Sequence, residues 1–148
     1  MRIVLKGLVI LEVLENGYLM RRIKTRNLVV QSAESVLCNL LAGVDQANNT
    51  ITSIALGTGS TSPTVADTSL ENEVARVPVS GYTFLAPNSV EFSATVDQAT
   101  ANGTTVWELG LFTAGNTLFA RTVLSMPVAK DSTFYFNIKW LLSINLVS

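Results

Sequence analysis

The segment "STFYFNIKWLLSI", Ser132 to Ile144, limits the possible folds more than any other. Phe134, Phe136, Ile138, Trp140, Leu142 and Ile144 recur at every second position. A period of two places all six on one face of a β-strand and suits no helix. Val90, Phe92, Ala94 and Val96 alternate in the same way with Glu91, Ser93, Thr95 and Asp97. Near the start, "LVILEV" and "YLMRRI" flank Asn16-Gly17. Both turn residues tolerate the positive φ of a type I′ turn, so this pair is read as a hairpin. Further strands are expected over Ile51–Leu56, Val74–Leu85, Thr105–Phe112 and Thr117–Leu124. Within Val74–Leu85, Pro78 and Gly81 imply an edge position or a bulge.

One stretch has helical spacing. Ser32 can cap it, Glu34 stands in its first turn, and Gly43 can supply a left-handed end. Between them Ala33, Val36, Leu37, Leu40 and Leu41 form an apolar stripe, with Cys38 beside it as a small buried hydrophobe. The expected fold is mainly β: an antiparallel β-sandwich or barrel of about 7–8 strands, one α-helix at about residues 32–42, and an N-terminal β-hairpin. The 148 residues form a single domain, with 1–26 as a hairpin or arm and 27–148 as helix plus sandwich.

Composition narrows the function. Charged residues make up 14% of the chain, well under the roughly 25% of an ordinary soluble domain. A surface so poor in charge is expected to be covered by sister subunits or a larger assembly. The net charge of −1 leaves no basic footprint for nucleic acid. No apolar run approaches the ~18 residues of a membrane span. Arg2 and Lys6 precede apolar residues, but Glu12 and Glu15 follow, so the start is not read as a leader. Histidine is absent and Cys38 is the only cysteine. The commonest general base and metal ligand are therefore missing, and no intrachain disulfide can form. The expectation is no enzyme, no catalytic residue, no metal, no cofactor and no small-molecule substrate.

The break at Gly57-Thr58-Gly59 superficially suggests a phosphate loop. A P-loop needs a lysine shortly after its glycines, and the next lysine is Lys130. Pro63 also opposes a helix start at Ser62. The glycines are read instead as ending a strand and launching a long loop, which Asp67 and Thr68 shape by side-chain-to-backbone bonds. Asp67, Glu71 and Glu73 lack the matched pairing of a glycosidase.

The order "ITSIALGTGSTSPTVADTSLENEVAR", "VWELGLF", "LFARTVLSMPVAKDSTFYFNIKW" resembles a family of tailed-bacteriophage virion proteins. Its pattern is A-x-G-T-G, then D-T-x-L-x-x-E, E-x-G-L-F and L-x-A-R. Gly57, Thr58 and Gly59 match the turn. Thr61, Pro63, Asp67, Thr68, Leu70 and Glu73 match the loop. Glu108, Gly110, Leu111 and Phe112 match the later strand, and Ala120 and Arg121 the return strand. The upstream "NLVVQSAESVLCNLLAG" resembles the family's helix. The final W-x-I is approximate, since Leu141 and Leu142 follow Trp140.

The resemblance implies a non-enzymatic virion protein, assembled in the host bacterial cytoplasm. It would form a homo-oligomer, a trimer or hexameric ring, bound to other tail or capsid proteins. Fibre members continue into long shafts, whereas this sequence stops after its last strand. The expectation is therefore an adaptor, collar, baseplate or fibre-attachment component of the tail. The alternative is a capsid decoration (cement) protein. A remoter one is a carbohydrate-binding sandwich using Trp107, Trp140 or the tyrosines, although the strand patterns around both tryptophans favour core packing.

Candidate interaction residues are Gly57, Thr58, Gly59, Asp67, Thr68, Glu73 and Arg76 of the loop region. Arg21, Arg22, Lys24 and Arg26 of the N-terminal arm are candidates too, with a charge-guarded edge strand as their simpler reading. Glu108, in an apolar strand, either pairs with Arg121 or Arg76 or points to solvent.

Overall fold

The computed structural model describes residues 1–148. Ten strands form two antiparallel five-stranded sheets packed as a β-sandwich. In chain order these are β1 (Arg2–Glu15), β2 (Tyr18–Arg26), β3 (Leu28–Val29), β4 (Ile51–Gly57), β5 (Glu73–Pro78), β6 (Gly81–Ala86), β7 (Ser89–Val96), β8 (Thr104–Thr113), β9 (Leu118–Lys130) and β10 (Tyr135–Val147). Two helices, α1 (Ala33–Ala42) and α2 (Gln46–Asn49), lie between β3 and β4. The first sheet runs β2-β1-β10-β7-β6 and the second β3-β9-β8-β4-β5.

The period-two strands behave as their pattern requires. Phe136, Ile138, Trp140 and Leu142 of β10 turn inward beside Val9, Leu11 and Val13 of β1 and Ala94 and Val96 of β7. Against them pack Ile54, Leu56, Val106, Leu109, Leu111, Leu124 and Val128 of the second sheet. Full burial stabilises each such Leu, Ile or Phe by about 1.5–3 kcal/mol. The β1–β2 turn has both Asn16 (φ 51°) and Gly17 (φ 82°) in the left-handed region, as a type I′ turn demands.

Ten strands replace the expected seven or eight for two local reasons. Val74–Leu85 is two strands in different sheets. Pro78, which has no N–H to continue a ladder, ends β5. The chain then crosses over, held by Val79 N–H donating to Thr52 O and Ser80 N–H to Ser93 O. The two-residue β3 is too short for any periodicity to mark. At β9 the opposite occurs, since Met126-Pro127 does not break the strand. β3 pairs only with Ala120 and Arg121, so beyond them that side of β9 is an edge that tolerates proline.

The N-terminal hairpin is not a projecting arm. β1 lies between β2 and β10 and pairs with β10 from Arg2↔Val147 to Leu14↔Tyr135. Helix α1 ends on Gly43 in the left-handed conformation. Only Ala33 and Val36 of its stripe are buried. Leu41 is 89% exposed and Cys38 is exposed rather than packed. Ser32 makes no capping bond, and its hydroxyl donates to Leu118 O instead, tying the helix start to β9.

Candidate functional site

The loop between β4 and β5 lies over the outer face of the second sheet. Small residues make a trough there. Ala55 of β4 sits opposite Gly110 of β8, and Gly110 opposite Arg121 of β9. Gly57 of β4 sits opposite Glu108 of β8. Leu70 descends from the loop into this trough and packs with Val30, Ala55, Phe112 and Leu118. A Cβ on Gly110 would stand 2.7 Å from Leu70 Cδ2, so the glycine makes room for the plug.

Glu108 is the hub. Its side chain is fully buried and each oxygen is engaged. Oε1 accepts from Gly59 N–H (3.2 Å) and Asn72 N–H (2.7 Å). Oε2 accepts from Glu71 N–H (3.0 Å) and Arg121 Nε (2.9 Å), and Arg121 Nη2 lies 2.8 Å from the same oxygen. One carboxylate thus ties the start of the loop, at Gly59, to its end at Glu71-Asn72. A buried charge is tolerated only when paired and hydrogen-bonded, and both conditions hold here.

The two glycines of the break have a steric cause. A Cβ at Gly57 would collide with Glu108 Oε1 and lie 2.6 Å from Asn72 O. A Cβ at Gly59 would collide with Glu71 Cβ and lie 2.8 Å from Glu108 Oε1. Neither has a positive φ. Glycine is needed there for close approach to the carboxylate rather than for a left-handed turn.

Arg121 extends the network outward. Its Nη1 donates to Asp67 Oδ2 at 3.0 Å. Asp67 also accepts from Thr64 N–H (3.0 Å) and Thr64 Oγ1 (2.8 Å), closing a local turn. Burial pushes the Asp67 carboxyl up, but the Thr64 bonds and the Arg121 guanidinium outweigh it and hold it below its ordinary value. The loop crown is tethered as well, with Gln31 N–H donating to Val65 O at 2.7 Å.

The other candidates divide. Thr58 joins the network, its N–H donating to Asn72 O and its hydroxyl accepting from Asn72 Nδ2. Thr68 is exposed and makes no side-chain bond, so of the two residues expected to shape the loop only Asp67 does so. Glu73 and Arg76 stand apart from Glu108. They pair with each other at 2.7 Å, while the Arg76 guanidinium lies 3.8 Å over the Phe112 ring and donates to Asn116 Oδ1. On β2, Arg22 pairs with Glu12 at 2.6 Å and Arg21 donates to Pro127 O. Lys24 and Arg26 are exposed.

Sequence reasoning missed Asn72 altogether, named Leu70 and Glu71 without their roles here, and overlooked a buried lysine, Lys130, outside this site. Asn72 and Glu71 reach Glu108 through backbone N–H groups, which carry no residue signature, while their side chains bond Thr58 and the Thr61 N–H. The role of Leu70 could have been found from its being an isolated large apolar residue in a polar run. Lys130 is buried at the end of β9, with Nζ donating to Asn102 Oδ1 (2.8 Å) and Asp131 O (3.0 Å). Burial lowers its pKa, and the nearby Asp97 and Asp131 charges oppose that shift. No cluster of three His, Cys, Asp or Glu side chains is placed to hold a metal. Trp140 is fully buried, which removes it as a sugar platform, and Trp107 is half-buried.

Comparison with protein-family models, with curated proteins and with solved structures found no match to this chain.

Proposed function

We propose that this chain is a non-enzymatic structural protein of a tailed-bacteriophage virion. Its place would be the tail, as an adaptor, collar, baseplate or fibre-attachment component assembled as a homo-oligomer. The observation that supports this most is how the motif residues are used. Gly57, Gly59, Asp67, Glu108 and Arg121 engage one another and the loop backbone. Their polar groups hold a 15-residue segment (58–72) against a sheet. A surface loop fixed at both ends and along its crown presents a shaped, rigid outline, which suits docking in a symmetric assembly.

Virions of the encoding phage provide the test. Quantitative mass spectrometry should give a low copy number per particle, in the small multiples of a closed ring. A cryo-electron map should show the sandwich at the tail. Hundreds of copies spread over the head would move the chain to the capsid-decoration role. Absence from purified particles would overturn the structural reading altogether.

A further inference from the structure

A five-stranded sheet has two edges, so this sandwich has four, and they are not treated alike. β2 carries Arg21, Arg22, Lys24 and Arg26. β5 carries Glu73 and Arg76 and ends in Pro78. β3 is two residues long, and the β9 edge beyond it carries Pro127 and accepts bonds from Arg21 and Thr25 of β2. Charge, proline and shortness are the usual means by which an edge is kept from pairing with another chain. The fourth edge, β6, has none of these three, and its only irregularity is a register shift against β7 at Leu85, which leaves Gly81–Phe84 regular. Its sequence GYTFLA holds no charge and no proline. Tyr82, Phe84 and Leu85 are 66%, 67% and 56% exposed.

We propose that β6 pairs antiparallel with β6 of a second copy of this chain. The two first sheets would then join into one continuous sheet across a two-fold axis. β6 bonds to β7 on one side only. Alternate residues of an antiparallel edge aim both N–H and C=O outward, and a second strand satisfies them. A strand paired antiparallel with itself is self-complementary, as a two-fold interface must be. The absence of charge on β6 favours this occupant, because two identical neutral strands meet without like-charge repulsion.

The side chains agree. Tyr82 and Phe84 pack edge to face, with ring centroids 5.7 Å apart and planes at 79°. They line an apolar groove of about 480 Å³ with Phe92, Leu142, Ile144 and Leu40. The partner's same-face aromatics would continue this row and cover it. The chain's accessible surface is 7900 Å², against about 7,400 Å² expected of a compact monomer of its mass. The two agree to within about a tenth, so the case for pairing rests on the edge itself. One strand and three side chains make an interface below about 1,200 Å² in total, so the dimer is reversible rather than permanent.

Sedimentation velocity on the full chain, from about 1 to 500 µM, tests the pairing. The expected result is a concentration-dependent shift from the 15.9 kDa monomer toward twice that mass. Tyr82→Lys/Phe84→Lys should weaken the association at least tenfold, with an unchanged circular dichroism spectrum. Leu41→Lys, on α1, should dimerise like the parent chain. Should the double variant fail to fold, Leu85→Lys, an exposed β6 position outside the groove, provides the same comparison. A chain that stays monomeric throughout, a trimer, or a dimer indifferent to charges on β6 would each overturn the proposal.

Discussion

Glu108 concentrates more of the architecture than any other side chain. Glu108→Gln keeps the shape but replaces one acceptor oxygen with a donor facing backbone N–H groups or Arg121, and it leaves Arg121 without its closest counter-charge. The expected cost is about 3 kcal/mol of folding stability, read from a denaturant midpoint. An unaltered midpoint would mean that the carboxylate is incidental. Gly57→Ala acts on the same contact from the other side. The added methyl has nowhere to go between Glu108 Oε1 and Asn72 O, and a loss of about 1–3 kcal/mol is expected by the same measurement. Cys38 behaves differently. It is exposed on α1, so a thiol reagent should label it in the native protein as fast as in urea. Protection in the native state would place it back in the core.

At the scale of elements, the loop between β4 and β5 responds to acid through Asp67. Asp67 has a folded-state pKa below its ordinary 3.8. Its contribution is therefore fully present above that value and is lost as pH falls through the lowered folded pKa. Urea midpoints of the parent chain and Asp67→Asn should differ at about pH 5, and the gap should narrow as the pH is taken progressively below 3.8. A gap unchanged by acid would show that the Asp67–Arg121 bond contributes no pH-dependent stability.

The strands were legible because their side chains carry the period that burial imposes, as in β7 and β10. Asn16-Gly17 gave the hairpin because so few residue pairs accept its turn. The division of Val74–Leu85 between two sheets was not legible, since a crossing is set by which neighbours receive the chain, and periodicity carries no such information. Glu108 was recognisable as a charge in an apolar strand. Its choice of Arg121 over Arg76 was not, because both arginines lie level with Gly110 and only strand order separates them: β9 adjoins β8, whereas β4 stands between β8 and β5. The loop's hold on Glu108 runs through N–H groups, which every residue but proline possesses.

Across the whole molecule, the strands nearest the two ends of the described chain are neighbours. β1 is interior to its sheet only because β10 lies beside it. Removing residues 1–26 would strip two of five strands and uncover the faces of Phe136, Ile138 and Trp140. That deletion should yield an aggregating or unfolded chain rather than a trimmed one. Soluble material with a sandwich-like circular dichroism spectrum would contradict the topology. The same adjacency has a consequence during synthesis. β10 leaves the ribosome some 120 residues after β1, a wait of roughly 6–25 s at about 5–20 residues per second. For that time Val9, Leu11 and Val13 have no β10 to lie beside and only β2 as a strand partner. A nascent chain of this design is a natural client for whatever shields apolar segments in the cell that makes it.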